Sequence, residues 1–211
     1  MIAVLTGDIV SSRSVPDKRK WLKRLEEIIE KRSGLTNPKW GIFRGDGFQL
    51  EMTVPAEALR VAILIRAGIK SVDELHSEGL DARIGIGIGE KGYVSKSINE
   101  SDGEAYQWSG NALDTIKGGL QVKTRWPERD YGTNIALRLA SVIIDDWTQA
   151  EAEIAWLSLS QNLTQVEMAK RLKISQPAVN KRAMGGHLNE INELVSYFHT
   201  FYAVAPANNK K

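Results

Sequence analysis

Residues 83 to 89 read Arg-Ile-Gly-Ile-Gly-Ile-Gly, and this stretch limits the fold more than any other. Alternation at a period of two marks a β-strand, with Ile84, Ile86 and Ile88 on one face and Gly85, Gly87 and Gly89 on the other. A strand face without side chains lets a helix or a ligand come close to its backbone. Around it, strand and helix signals alternate as far as about residue 130. Ile2 to Leu5 form an apolar strand run, and Trp21, Leu22, Leu25, Ile28 and Ile29 form a helical stripe that ends near Gly34. Phe48, Leu50 and Met52 alternate with polar residues after the turn-forming Arg44-Gly45-Asp46-Gly47, which predicts a hairpin. Leu59, Ala62, Ile63, Arg66 and Ile69 predict a second helix. A polar loop then leads to a short helix over 112–117 and a strand over 120–124. The order βαββαβαβ predicts an α+β fold whose first six elements follow a ferredoxin-like sheet.

After residue 130 the pattern is helical throughout. The expected division is a sheet domain over 1–130, a helical domain over 131–204 joined by a helix near 134–147, and a disordered tail over 205–211. With 42 % apolar and 26 % charged residues the chain is able to bury a core, and a net charge of only +2 requires any nucleic-acid partner to be met by a local basic patch. Cysteine is absent, which excludes disulfides, thiolate zinc sites and thiol catalysis. His76, His187 and His199 have no ligand spacing. No apolar run is long enough for a membrane span, and the sequence opens on a strand pattern, so a cytoplasmic protein without a membrane partner is expected.

Two Gly-Asp pairs carry the chemistry of the first half. Taken singly, Gly7-Asp8 and Gly45-Asp46-Gly47 read as turns. If the first strand lies beside the hairpin, however, Asp8 and Asp46 become neighbours, and two such carboxylates suit a Mg²⁺ ion that takes its other ligands from phosphate and water. Beside them, the hydroxyls of Ser11 and Ser12, with Arg13 nearby, suit an anionic ligand.

The motifs Gly7-Asp8-Ile9-Val10-Ser11-Ser12-Arg13, Gly45-Asp46-Gly47-Phe48 and Arg83 to Glu90, in that order, resemble the palm domain of class III nucleotide cyclases and diguanylate cyclases over residues 2 to 120. The whole chain, with Gly45-Asp46-Gly47-Phe48-Gln49 and Ser109-Gly110-Asn111-Ala112-Leu113-Asp114, is closer still to the bacterial SatD-like family. The cyclase resemblance implies that Asp8 and Asp46 hold Mg²⁺, and that the segment from Ile9 to Ser12 wraps a nucleotide triphosphate with backbone N–H groups. It also implies a departure. Where active cyclases carry an Asn and an Arg on the helix after the glycine strand, this chain has Asp114 and Gly118, and Ile42 stands near the position of the adenine-selecting lysine. An acid repels triphosphate, a glycine offers no guanidinium, and Lys117 substitutes imperfectly. Asp114 also reads as a third metal ligand or as an acid complementing its helix. Ligand binding is therefore expected ahead of catalysis.

The second half is read from its caps. Thr164 and Glu167 form an S/T-x-x-E box, with Val166, Met168, Ala169 and Leu172 expected inward. Ser175 caps the next helix, Pro177 lies in its first turn, and Ala178 and Val179 are expected to pack back. This is a helix-turn-helix pattern whose second helix presents Gln176, Asn180, Lys181 and Arg182 for DNA contact, and from Thr164 to Arg182 five basic residues face one acid. Thr148 and Glu151 cap a supporting helix, and residues 148–184 resemble the sigma-region-4 and MarR-like helix-turn-helix families. A last apolar stripe, Leu188, Ile191, Leu194, Val195, Phe198, Phe201 and Tyr202, either packs back on its own domain or pairs with a second copy in a homodimer. The expected function is a DNA-binding transcriptional regulator with a ligand-binding cyclase-like domain. The alternatives are a divergent Mg²⁺-dependent nucleotide cyclase or nucleotidyltransferase, and a protein-interaction scaffold.

Overall fold

The structure, a computed structural model, describes residues 1–15, 17–43, 45–77, 79–92, 98 and 101–203. Arg44 of the predicted hairpin, part of the predicted loop after the glycine strand, and the tail from 204 onward lie outside the described residues.

Strands β1 (Ile2–Val10), β2 (Lys39–Phe43), β3 (Gly47–Met52), β4 (Asp81–Gly89) and β5 (Leu120–Thr124) form one five-stranded sheet in the order β2-β3-β1-β4-β5. The first four strands pair antiparallel in the ferredoxin-like order, and β5 joins β4 in parallel. A parallel neighbour needs a crossover, which helix α4 (Glu104–Asp114) supplies. The fold is α+β, as the sequence predicts.

Helix α2 (Ala58–Lys70) packs on the isoleucine face of β4, and helix α1 (Arg19–Glu27), continued by a π-turn over Ile28–Arg32, packs against α2 in the same core. Every residue of α2 except Arg60 is buried. A helix buried on nearly every side must be covered on both flanks, and α2 lies between the sheet and helix α6 (Gln149–Gln161). The buried cluster consequently runs without a break from Ala3 in β1 to Tyr202 near the C-terminus. A short helix, α3 (Asp73–Ser77), leads from α2 into β4.

The glycine face of β4 is taken by α4. A Cβ on Gly87 would lie 2.1 Å from the Ala105 carbonyl oxygen and 2.4 Å from the Ser109 nitrogen, and one on Gly85 would lie 2.4 Å from the Ser109 oxygen. Of the two occupants the sequence allows, a helix is therefore the one present. Its small residues Ala105, Ser109 and Ala112 are buried, and the Ser109 and Thr6 hydroxyls meet at 2.7 Å. The helix expected over 112–117 lies instead over 104–114, so the end of the predicted loop is helical.

Gly7 also differs from expectation. It is no turn, since β1 continues to Val10. A side chain there would meet the Phe48 ring at 2.5 Å, so Gly7 is the place where that ring crosses β1.

Helix α5 (Pro127–Asp145) begins earlier than the connecting helix predicted over 134–147, with Pro127 in its first turn and Glu128 and Asp130 near its N-terminus. Then come α6, α7 (Gln165–Leu172), α8 (Gln176–Gly185) and α9 (Leu188–Ala203). Both predicted capping boxes form: Thr148 and Glu151 close the start of α6, and Thr164 and Glu167 that of α7. The stripe of α9 packs back on its own chain, where Leu188, Ile191, Phe198 and Tyr202 are buried, Tyr202 donates to Thr133 and Arg129 donates to the Phe201 carbonyl. Of the two alternatives for this stripe, packing within the chain is therefore what covers most of it. Among the described residues no helix is long and apolar enough to cross a membrane.

Candidate functional site

The site is built at the end of the central strand. Asp8 stands opposite Gly47 of β3 on one side and Arg83 of β4 on the other. Thr6, two residues back, meets Ser109 of α4, so by strand alternation Asp8 and Arg83 share the α4 face of the sheet. Asp46 occupies the hairpin tip after Gly45, whose φ of +91° favours glycine, and its carbonyl accepts the Ile9 N–H at 3.2 Å. Topology therefore brings both acids to one place, where they line a cavity of about 450 Å³ together with Ile9, Val10, Ser11, Ser12, Arg13 and Arg83.

Each acid already has a partner. Arg83 grips Asp8 with two parallel hydrogen bonds, Nε to Oδ1 at 2.9 Å and Nη2 to Oδ2. The bond to Asp8, with the nearby Asp46 charge adding to it, holds the Arg83 guanidinium above its ordinary pKa. Ser12 donates its hydroxyl to Asp46 Oδ2. Ser11 takes a positive φ of 56°, and its carbonyl accepts the Ser14 N–H at 2.9 Å, so the chain turns sharply around the cavity.

Several predicted contacts are placed differently. The Ile9 amide is given to Asp46 and its side chain is buried, while the Ser12 hydroxyl is committed to Asp46. Neither donor is left facing a phosphate. Leu113 lies over Gly85, two residues along β4 from Arg83, so Asp114 and Lys117 leave α4 at this end of the sheet. Both are exposed, however, and neither lines the cavity.

Arg83 is the residue that sequence reading missed. Its signal was present in the alternation that puts it on the glycine face of β4. Finding it also required the pairing of β4 with β1, a contact between residues 75 apart.

The donor set fits a divalent ion of the Mg²⁺ kind, which takes few carboxylates from protein, provided that Arg83 yields Asp8. Among the described residues no group of three or more His, Asp or Glu side chains is placed to hold a metal. Sharing Val10 and Arg83 with this cavity is a second one of about 530 Å³. Its wall holds an ion cluster in which the buried Arg66 reaches Asp81 at 2.9 and 2.6 Å and also the exposed Asp145, while Lys70 donates to the Asp145 carbonyl at 3.0 Å.

In the helical half, a turn over Lys173 to Ser175 joins α7 to α8, with Lys173 left-handed at φ +56° and the Ile174 N–H returning to the Ala169 carbonyl at 3.1 Å. Ser175 caps α8 from its side chain. Met168, Ala169 and Val179 are buried between the helices, whereas Val166, expected inward, is 46 % exposed. Gln176, Asn180 and Lys181 are exposed on α8 as predicted. Arg182 is half-buried and pairs with Glu153 of α6 at 3.4 Å, so it braces the helices.

No family model matches the chain, and no curated protein matches it. Among solved structures, the chain is similar to a bacterial light-regulated adenylyl cyclase at a TM-score of 0.43 and 17 % identity, over 58 % of this chain. The match spans 42 % of that cyclase chain.

Proposed function

We propose that this protein binds DNA through α7 and α8 as a transcriptional regulator, and that its sheet domain binds a metal-complexed nucleotide or similar phosphorylated ligand at the Asp8–Asp46 cavity. The observation that carries the DNA reading is the α7–α8 pair itself: two capped helices joined by a tight turn, with Val179 buried between them and Gln176, Asn180 and Lys181 exposed on the second helix. Lys170, Arg171 and Lys173 add positive charge, with Lys170 and Arg171 in the last turn of α7. Amide and ammonium groups on an exposed helix suit base edges and phosphates. The resemblance of the motif order to the SatD-like family supports the pairing of a ligand domain with such helices.

The test is titration of a labelled random-sequence DNA duplex at several salt concentrations. Binding is expected to weaken linearly in log–log form, and Lys181→Ala to lower the slope by about one counterion. Salt-independent binding, or none, removes the DNA reading.

A second reading, a Mg²⁺-dependent cyclase or nucleotidyltransferase, is favoured by one observation: Asp8 and Asp46 line the same cavity. Turnover of a nucleoside triphosphate that disappears in Asp8→Ala would put that reading first.

A further inference from the structure

Arg83 takes both oxygens of Asp8, the acid that a cation in this cavity would have to share with Asp46. Asp8 is bound at both oxygens, and the guanidinium also feels the Asp46 charge, so one side chain of this protein answers much of the negative potential in the cavity. The pair is also accessible, with side chains 50 % exposed for Arg83 and 27 % for Asp8. An ion pair so open to water is weakly held. A divalent cation offers the two carboxylates twice the charge, and it restricts no long side chain when it binds.

We propose that Arg83 is a tethered competitor for the metal: its guanidinium holds Asp8 while the cation is absent, releases it when a divalent cation binds Asp8 and Asp46, and then pairs with the phosphate accompanying that cation. The inference rests on the reading of this cavity as a site for a metal-complexed phosphorylated ligand. Arginine suits both partners because its planar fork matches carboxylate and phosphate alike, which an ammonium does not. Ser12 keeps Asp46 in place through the exchange, and Arg13 on the same cavity wall gives the anion a second cation. Arg83 is thereby a specificity-determining residue, setting a threshold that a bare monovalent ion does not pass.

The experiment titrates Mn²⁺ alone into the full chain, following free Mn²⁺ by electron paramagnetic resonance. It is then repeated with a fluorescent triphosphate added at saturating Mn²⁺. Arg83→Met is expected to bind Mn²⁺ roughly tenfold more tightly than the wild type and the triphosphate more weakly, a reversal of sign that a general loss of structure does not produce. Arg83→Lys, which keeps the charge and loses the fork, is expected to fall between the two on both measurements. Mn²⁺ affinity unchanged or weakened in Arg83→Met, with binding still abolished by Asp8→Ala, overturns the competition and leaves the metal site standing. Mn²⁺ binding that Asp8→Ala does not affect, or no Mn²⁺ binding at all, defeats the metal reading and this inference with it.

Discussion

Gly87→Ala lowers the stability of this protein by about 3 kcal/mol or more, at the upper end of the cost of overpacking a core. For a chain of this size that is a fall in Tm of roughly 6–12 °C. The reason is the close approach of α4: the added methyl would sit 2.1 Å from the Ala105 carbonyl oxygen and 2.4 Å from the Ser109 nitrogen, both backbone atoms that no rotamer change can move. The helix must lift from β4, which separates the buried Ser109 and Thr6 hydroxyls as it goes. The sign is what makes the result diagnostic, since a glycine replaced by alanine where the backbone permits it gains about 0.4–1 kcal/mol through the unfolded state. Gly110 supplies that control in the same helix, because its Cβ would meet nothing within 4 Å. Gly110→Ala is expected to raise Tm while Gly87→Ala lowers it, as followed by thermal unfolding with circular dichroism. Equal effects from both would mean that α4 does not rest on the glycine face.

The second large effect belongs to Arg66. Its side chain is 2 % exposed and supports Asp81, itself only 13 % exposed, through paired hydrogen bonds. The backbone of Gly119 admits the guanidinium, because a Cβ there would lie 2.2 Å from Nη1. Burial works against the charge, but the two carboxylates outweigh it and hold the guanidinium above its ordinary pKa. Arg66→Ala leaves Asp81 with the Ala82 N–H at 2.7 Å and with Lys70, at 3.4 Å, as its one remaining cation, and is expected to cost about 3–5 kcal/mol in denaturant unfolding. Replacing the three inner members of the cluster with apolar residues of similar volume, Arg66→Met and Lys70→Met with Asp81→Leu, is expected to recover most of that loss, since no buried charge is then left short of a partner. A triple variant no more stable than Arg66→Ala would show instead that the ion cluster is worth more than the packing that replaces it.

How much of this was legible in the sequence depends on the range of the signal. The capping boxes of α6 and α7 are local, with each Thr and Glu three residues apart, and the sequence places both. The two faces of β4 follow from alternation alone. Helix α4 was misplaced because the side it lays on β4 is made of Ala105, Ser109 and Ala112, with Tyr106 its one large buried residue, and its first turn follows Gly103 with no side-chain cap. Hydrophobic periodicity does not register a helix chosen for thinness. The start of α5 was marked by Pro127 and the acids of its first turn, a signal available but not used. At the cavity, the meeting of Asp8 with Asp46 followed from placing the first strand beside the hairpin. The Arg83 partner did not, because it depends on which strand lies on the other side of β1 and in what register. Likewise Arg182 has the composition of a DNA contact, and only the position of Glu153 on another helix reveals it as a brace.

Helix α2 carries one more consequence. Because it is wrapped by the sheet on one flank and by α6 on the other, severing the chain near residue 130 would strip an oily surface bare on the N-terminal fragment. Neither half is free to evolve its contact residues alone, since a change of volume on α2 presses on both neighbours at once.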